Sequence, residues 1–322
     1  MTHDPRPSSS GGDPVRVGFF GPFGTNTEQA VRSQPDLADQ ELVAYPTVPD
    51  VLDAVASGEV DCGVVPIENS IEGVVNFTQD ALAFDYDLLI TREMVLDIEH
   101  CLAGPAGLAI EDVKVVLSIP VATAQCHRFL RKHLPWAEIR GASSTAESAR
   151  LVAEGAAGPN AVAIASPLAA ARYGLAEVAS DIGDHDRNQT RFVLVARDGI
   201  PPATGHDQTA MVVFQRADEP GSLISILQEF AARRINLSNL ISRPTKRGGL
   251  GDYCFVIYAD AHIADELMAD ALRELHAKQG DVKFFGSYPA AGEHARSARE
   301  HADERWRQAD DWVAELRTRI VR

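Results

Sequence analysis

Four short polar runs hold the side chains best suited to chemistry in this 322-residue chain. In Gly21-Pro22-Phe23-Gly24-Thr25 two glycines permit a close backbone approach, and Thr25 offers a hydroxyl or caps the following helix. Val65-Pro66-Ile67-Glu68-Asn69-Ser70 sets three polar side chains behind a buried strand, where each must be satisfied or used. Asn69 and Ser70 suit a carboxylate or a hydroxyl; the other reading is a cap for a helix over 74–83. Ser118-Ile119-Pro120 leads into a helix carrying Gln125 and Cys126, with Gln125 turned to a cleft or to solvent. Asn188-Gln189-Thr190-Arg191-Phe192 adds a hydroxyl and a permanent bidentate cation suited to carboxylates, unless Arg191 is a surface residue.

The elements that must position these runs follow from the apolar pattern. Strands are predicted over 15–20, 41–45, 61–65, 113–118, 137–142, 161–165 and 191–195, with helices over 47–57, 121–134 and 145–154 between them. This alternation implies mainly parallel sheets covered by helices, hinged near 91–97 and again before Thr190 into two lobes with a cleft. Ligands in such folds gather beyond the carboxyl ends of strands, and the four runs fall there. Residues 199–207 read as a Gly- and Pro-rich linker. A second cycle over 208–290 runs strand, helix, strand, strand, helix, strand, the ferredoxin-like βαββαβ order. Behind it, 291–322 reads as a helical tail with Trp306, Ala309, Val313, Leu316 and Ile320 on one stripe, docked on its own subunit or at an oligomer contact.

Composition narrows the class. The chain is 45% hydrophobic and 24% charged, as in globular proteins, and no apolar run reaches the ~18 residues of a membrane span. The polar residues 1–14 lack the apolar core of a signal peptide and read as a disordered tail, so a cytoplasmic location is expected. Four cysteines without a CxxC pair argue against zinc or a disulfide framework. A net charge of −16 with no basic patch argues against nucleic acid, and an anionic substrate would need local positive potential.

Taken together, the motifs are specific. GPFGTNTEQA, VPIENSIEGVV, Glu93 with Ile98-Glu99-His100, SIPVATAQC, SSTAES, AARYGL and NQTRF resemble the prephenate dehydratases in this order. Residues 208–290 resemble an ACT domain through Gly221-Ser222-Leu223-Ile224, Ile235-Asn236-Leu237 and Ser242-Arg243-Pro244, closing on Gly286-Ser287-Tyr288-Pro289. Phe23, Asn26, Ile119 and Val121 depart from common family residues beside the motif positions, and Ile241 stands where Glu is frequent.

The resemblance implies an α/β fold: a two-lobed, periplasmic-binding-protein-like catalytic domain over 15–198, then the ACT domain. It implies conversion of prephenate to phenylpyruvate with loss of carbon dioxide and water, without a cofactor or metal. Thr190 would assist departure of the hydroxyl, with Asn69 and Gln125 as catalytic partners. Thr25, Ser70, Ser118, Thr145 and Arg191 would surround the carboxylates, Arg191 unless it pairs with a nearby acid. L-phenylalanine is the effector implied, held by backbone around Gly221, Ser222, Leu223, Asn236 and Leu237 in a homodimer or homotetramer. Two other readings are a prephenate decarboxylase that leaves the ring non-aromatic and a non-catalytic small-molecule-binding module.

Overall fold

Two compact units divide the chain in a computed structural model that describes residues 14–215, 219–245, 252–291, 312–313 and 315–319. One unit is Met1–Asp87 with Leu96–Arg197; the other is Leu88–Val95 with Asp198–Arg322. Most residues of the expected tails lie outside the described residues, among them Trp306, Ala309 and Ile320 of the apolar stripe.

The chain runs β1 (Arg16–Phe20), α1 (Asn26–Arg32), β2 (Glu41–Tyr45), α2 (Val48–Ser57), β3 (Cys62–Asn69), β4 (Gly73–Val74), α3 (Asn76–Asp80) and β5 (Leu89–Asp97). It continues through β6 (Cys101–Gly104), β7 (Val115–Ser118), α4 (Pro120–Gln125), α5 (His127–His133), β8 (Glu138–Gly141), α6 (Thr145–Ala153), β9 (Ala161–Ala165), α7 (Pro167–Arg172), β10 (Ala176–Ala179) and β11 (Gln189–Ala196). In the first lobe β1 lies parallel to β2 and β3, while β11 returns antiparallel along β3, giving the order β2-β1-β3-β11. The second lobe has the order β10-β6-β9-β7-β8, with β7 parallel to β8 and β9 and with β6 antiparallel to β9. The sheets are therefore mixed rather than mainly parallel. An apolar run such as Phe192–Val195 is buried in either direction, so burial alone does not set strand direction.

Local sequence explains most of these elements. In α2, Thr47 accepts the backbone N–H of Asp50, Val48, Val51, Leu52 and Val55 share the buried face, and Gly58 ends the helix at φ 81°. All five residues of β9 are buried, as a strand covered on both faces requires. Four strands of the first two sheets escape the pattern: β5, where a hinge is expected, and the short β4, β6 and β10. The helix expected over 74–83 is instead β4, α3 and a π-helical turn at Ala81–Asp85. The helix expected over 121–134 breaks at the buried Cys126 (φ −115°, ψ 15°). Asp184 stabilises the break: its N–H donates to the Gln125 carbonyl at 2.7 Å, and its carboxylate accepts the Arg128 N–H at 2.9 Å.

The second unit contains β12 (Asp207–Phe214), α8 (Ser222–Ala232), β13 (Leu237–Pro244), β14 (Tyr253–Ala259), α9 (Glu266–Lys278) and β15 (Asp281–Pro289). Its antiparallel sheet has the order β13-β14-β12-β15, the ferredoxin-like arrangement expected. Ile226 and Phe230 of α8 and Met268 and Leu275 of α9 close one core against Met211, Val213, Phe255 and Ile257. Gly286, at φ 139°, has no room for a side chain: a Cβ there would lie 2.2 Å from the Ile90 carbonyl oxygen.

Candidate active site

The site is built on the ladder between β3 and β11. Thr190 pairs directly with Asn69 and Arg191 with Glu68, and the register then slips beside Pro66, which cannot donate to a ladder. The cluster expected to follow the strand is thus the end of the strand itself. Directly opposed residues share a face and successive residues alternate, so Thr190 and Asn69 project to one side, Arg191 and Glu68 to the other. Arg191 Nη1 lies 3.0 Å from Glu68 Oε2. Of the two expectations for Arg191, the structure holds the pairing with a nearby acid.

A chain of oriented amides extends from this pair. Asn69 Oδ1 accepts the backbone N–H groups of Ile71 (2.9 Å) and Glu72 (3.0 Å), which fixes the flip of its amide. Asn69 Nδ2 therefore donates, to Thr190 Oγ1 at 2.9 Å and to Asn188 Oδ1 at 2.8 Å. Asn188 Nδ2 donates in turn to Gln125 Oε1 at 3.0 Å, and His100 Nε2 meets the same oxygen at 2.9 Å. Gln125 Nε2 is left to donate to Glu72 Oε1 at 3.1 Å. Thr190 Oγ1 takes a hydrogen bond through its lone pair, so its own hydrogen is the one available for a ligand, sharpened by the donor behind it.

The other expected residues lie on both lobes. Thr25 caps α1, accepting the Glu28 N–H at 3.4 Å and donating to the Phe20 carbonyl at 3.3 Å. The Ser70 hydroxyl accepts the Gln189 N–H and donates to the Arg187 carbonyl, tying β3 to the start of β11. Thr145 opens α6 behind its cap Ser144. Ser118 ends β7 with its hydroxyl buried and, among the described residues, without a protein partner. Such a hydroxyl is either a cost or a group kept for a ligand.

The Gly21–Thr25 loop is where the lobes meet. Gly24, at φ 92°, has Ala146 Cβ 3.3 Å from where its own Cβ would stand. Ser166 donates to the Gly24 carbonyl at 3.4 Å, Tyr173 to that of Phe23 at 3.3 Å, and the Arg172 guanidinium stacks 4.6 Å over the Phe23 ring. Beneath the loop the fully buried Glu28 carboxylate accepts the Gly24 N–H and pairs with Arg32 at 2.8 Å and Arg172 at 3.4 Å. Gln125, His100 and Asn188 also wall a cavity of about 640 Å³ whose remaining walls include Asp97, Glu177 and Asp184. Neither Thr190 nor Asn69 lines it, and its acidic walls do not suit an anion.

Comparison with known proteins places the chain. Residues 17–200 match the prephenate dehydratase family and residues 210–277 the ACT domain. The chain belongs to the prephenate dehydratase family. It is 41% identical over 313 residues to the prephenate dehydratase of Mycobacterium tuberculosis, covering 94% of both chains. It is similar to the crystal structure of the Arthrobacter aurescens prephenate dehydratase in complex with L-Phe, at 41% identity and a TM-score of 0.80, over 92% of this chain and 99% of that one. A further structure, described as a novel type of quorum quenching acylase, is 27% identical with a TM-score of 0.76, over 86% of this chain and 98% of that one.

For a prephenate dehydratase chain, three further residues join the site: Asn188, His100 and Glu72. Asn188 and His100 stand inside motifs that carry the resemblance, but nothing in their spacing shows that they meet Gln125. Glu72 comes within reach only because the chain turns back after Asn69. Burial lowers the His100 pKa and pushes the Cys101 and Cys126 thiols up to about 12, which removes both thiols as nucleophiles at neutral pH. In the second unit, Gly221 caps α8 at φ 94°, and the Ser222 hydroxyl bonds Gln215 Oε1. Leu223 and Leu237 pack into the core, while Asn236 donates to Asp260 at 2.6 Å.

Proposed function

We propose that the chain converts prephenate to phenylpyruvate at the Thr190 face of the β3–β11 ladder. Prephenate is a dianion whose ring lacks only one elimination to become aromatic. The bond to the ring carboxylate breaks, its electron pair enters the ring, the ring C–O bond breaks, and hydroxide leaves with one proton as water. With the driving force in the ring, the protein's task is to orient the substrate and donate to the leaving oxygen. The observation that carries this reading is the Asn69 amide on Thr190 Oγ1, which leaves the hydroxyl hydrogen for that oxygen.

Gln125 and Asn69 keep the donor set in place, and Ser118, Thr25 and Thr145 supply hydroxyls toward the carboxylates. Ser70 contributes through the strand ends it joins. Arg191 acts on this face only if substrate draws it from Glu68. The second unit is read as an effector domain for L-phenylalanine, supported by the relative solved with L-Phe. Gly221, Ser222 and Asn236 would grip the amino acid by their backbone, as would Leu223 and Leu237, whose side chains are committed to the core. A homo-oligomer and a cytoplasmic location complete the reading; among the described residues no helix is long and apolar enough to cross a membrane.

The test is incubation with prephenate at neutral pH, following products by absorbance and chromatography. Phenylpyruvate with one equivalent of carbon dioxide supports the proposal. Carbon dioxide with a non-aromatic product would assign the chain to decarboxylation alone, and unconsumed prephenate would overturn a role on this substrate.

A further inference from the structure

His100 stands at the far end of the amide chain that terminates at Thr190, and hydrogen counting fixes its state. Backbone N–H groups can only donate, so the bonds from Ile71 and Glu72 orient the Asn69 amide without ambiguity. Asn69 Nδ2 then donates to Asn188 Oδ1, which turns Asn188 Nδ2 toward Gln125 Oε1. With Gln125 Nε2 on the Glu72 carboxylate, the Gln125 oxygen is settled as an acceptor by partners on both ends of its amide. The atom facing that oxygen at 2.9 Å is His100 Nε2, which must carry a hydrogen, because two lone pairs would otherwise face each other. His100 is buried, 7% exposed, and burial favours its neutral form, leaving Nδ1 bare.

We propose that His100, as the neutral Nε2–H tautomer, is a positioning residue for the dehydration: it locks the Gln125 amide and, through Asn188 and Asn69, the direction in which the Thr190 hydroxyl donates. His100 reaches neither Thr190 nor a ligand on the Thr190 face directly; its effect passes through four hydrogen bonds. Losing the Nε2 hydrogen takes one of the two donors from Gln125 Oε1, so the amide is held by Asn188 and Glu72 alone and the donor order from Gln125 to Thr190 loosens.

This inference rests on the dehydratase reading, and two measurements keep the two apart. The first compares kcat and KM for prephenate in His100→Leu and His100→Gln, each alone and with Gln125→Leu. His100→Gln keeps a donor at similar reach and should hold kcat within about threefold, whereas His100→Leu should lower kcat about 10- to 100-fold with KM little changed. In the Gln125→Leu background the His100→Leu loss should shrink to within about twofold, since its target is gone. An equal loss in both backgrounds, equal losses for the Leu and Gln variants, or an unaffected His100→Leu would each overturn the proposal. The second measurement needs no activity: 15N NMR of histidine-labelled wild-type protein should show His100 protonated at Nε2 and bare at Nδ1 between about pH 6 and 8. The other tautomer, or a cation, would overturn it even in an enzyme that dehydrates prephenate. If prephenate is not consumed but the tautomer is as stated, the dehydratase reading fails and the role in dehydration with it, leaving only the hydrogen-bond chain.

Discussion

Thr190 and Asn69 face each other across an antiparallel ladder, and the Asn69 amide donates to the Thr190 hydroxyl at 2.9 Å. Because Thr190 Oγ1 accepts there, its own hydrogen points away from Asn69, and the function assigned to the face depends on it.

Thr190→Ala removes the donor and should lower kcat by about 10²- to 10³-fold, the usual cost of one preorganised donor. Thr190→Ser keeps the hydroxyl and should retain activity within about tenfold, its looser rotamer accounting for the difference. Steady-state phenylpyruvate formation checks both, with melting curves to show that neither variant unfolds.

Asn69→Asp is nearly isosteric but replaces a donor with a carboxylate facing three oxygens, Asn188 Oδ1, the Gln189 carbonyl and Thr190 Oγ1. Thr190 would then donate to residue 69 instead of to substrate. We expect kcat to fall at least as far as in Thr190→Ala. A stability loss of about 1–3 kcal/mol in urea unfolding should accompany it.

Gly24→Ala meets two obstacles, a positive φ of 92° and Ala146 Cβ at 3.3 Å. The strained backbone should cost about 1–2 kcal/mol. Because the clash is with the second lobe, KM for prephenate should rise more than kcat falls. Equal effects on both would mean that the loop does not govern lobe approach.

Stability should depend on pH through His100. Its folded pKa is lowered from 6.5 by burial, so the unfolded chain takes up the proton first as pH falls. The stabilisation is whole above pH 6.5 and is lost as pH drops from there through the lowered folded value. His100→Gln should flatten that limb of the stability curve, measured by urea unfolding from about pH 8 to 5.

The resemblance was carried by contiguous motifs, and these name Thr190, Asn69 and Gln125. The second unit's order is also legible, because α8 and α9 each bury one face, β13 alternates, and β12 and β14 are short buried apolar runs. What sequence does not display is contact at long range. Asn188 and Gln125 are 63 positions apart, His100 and Gln125 are 25 apart, and no spacing rule joins them. The direction of β11 is hidden too: its buried apolar stretch Phe192–Val195 reads alike both ways. The break at Cys126 is likewise unreadable locally, because the residue that stabilises it, Asp184, lies 56 positions from the Arg128 N–H it accepts.

Leu88–Val95 belongs to the second unit although it lies between segments of the first, and Leu88, Ile90 and Met94 are buried there. The regulatory half is therefore not an appendage that one cut can detach. A chain ending at Arg197 would keep every side chain from His100 to Thr190 yet lose Gly286, which lies against the Ile90 backbone, and leave the segment without the rest of its unit. During synthesis, too, this segment emerges about a hundred residues before the rest of its unit. The second unit therefore cannot close its own packing around Ile90 until the chain has run past Gly286.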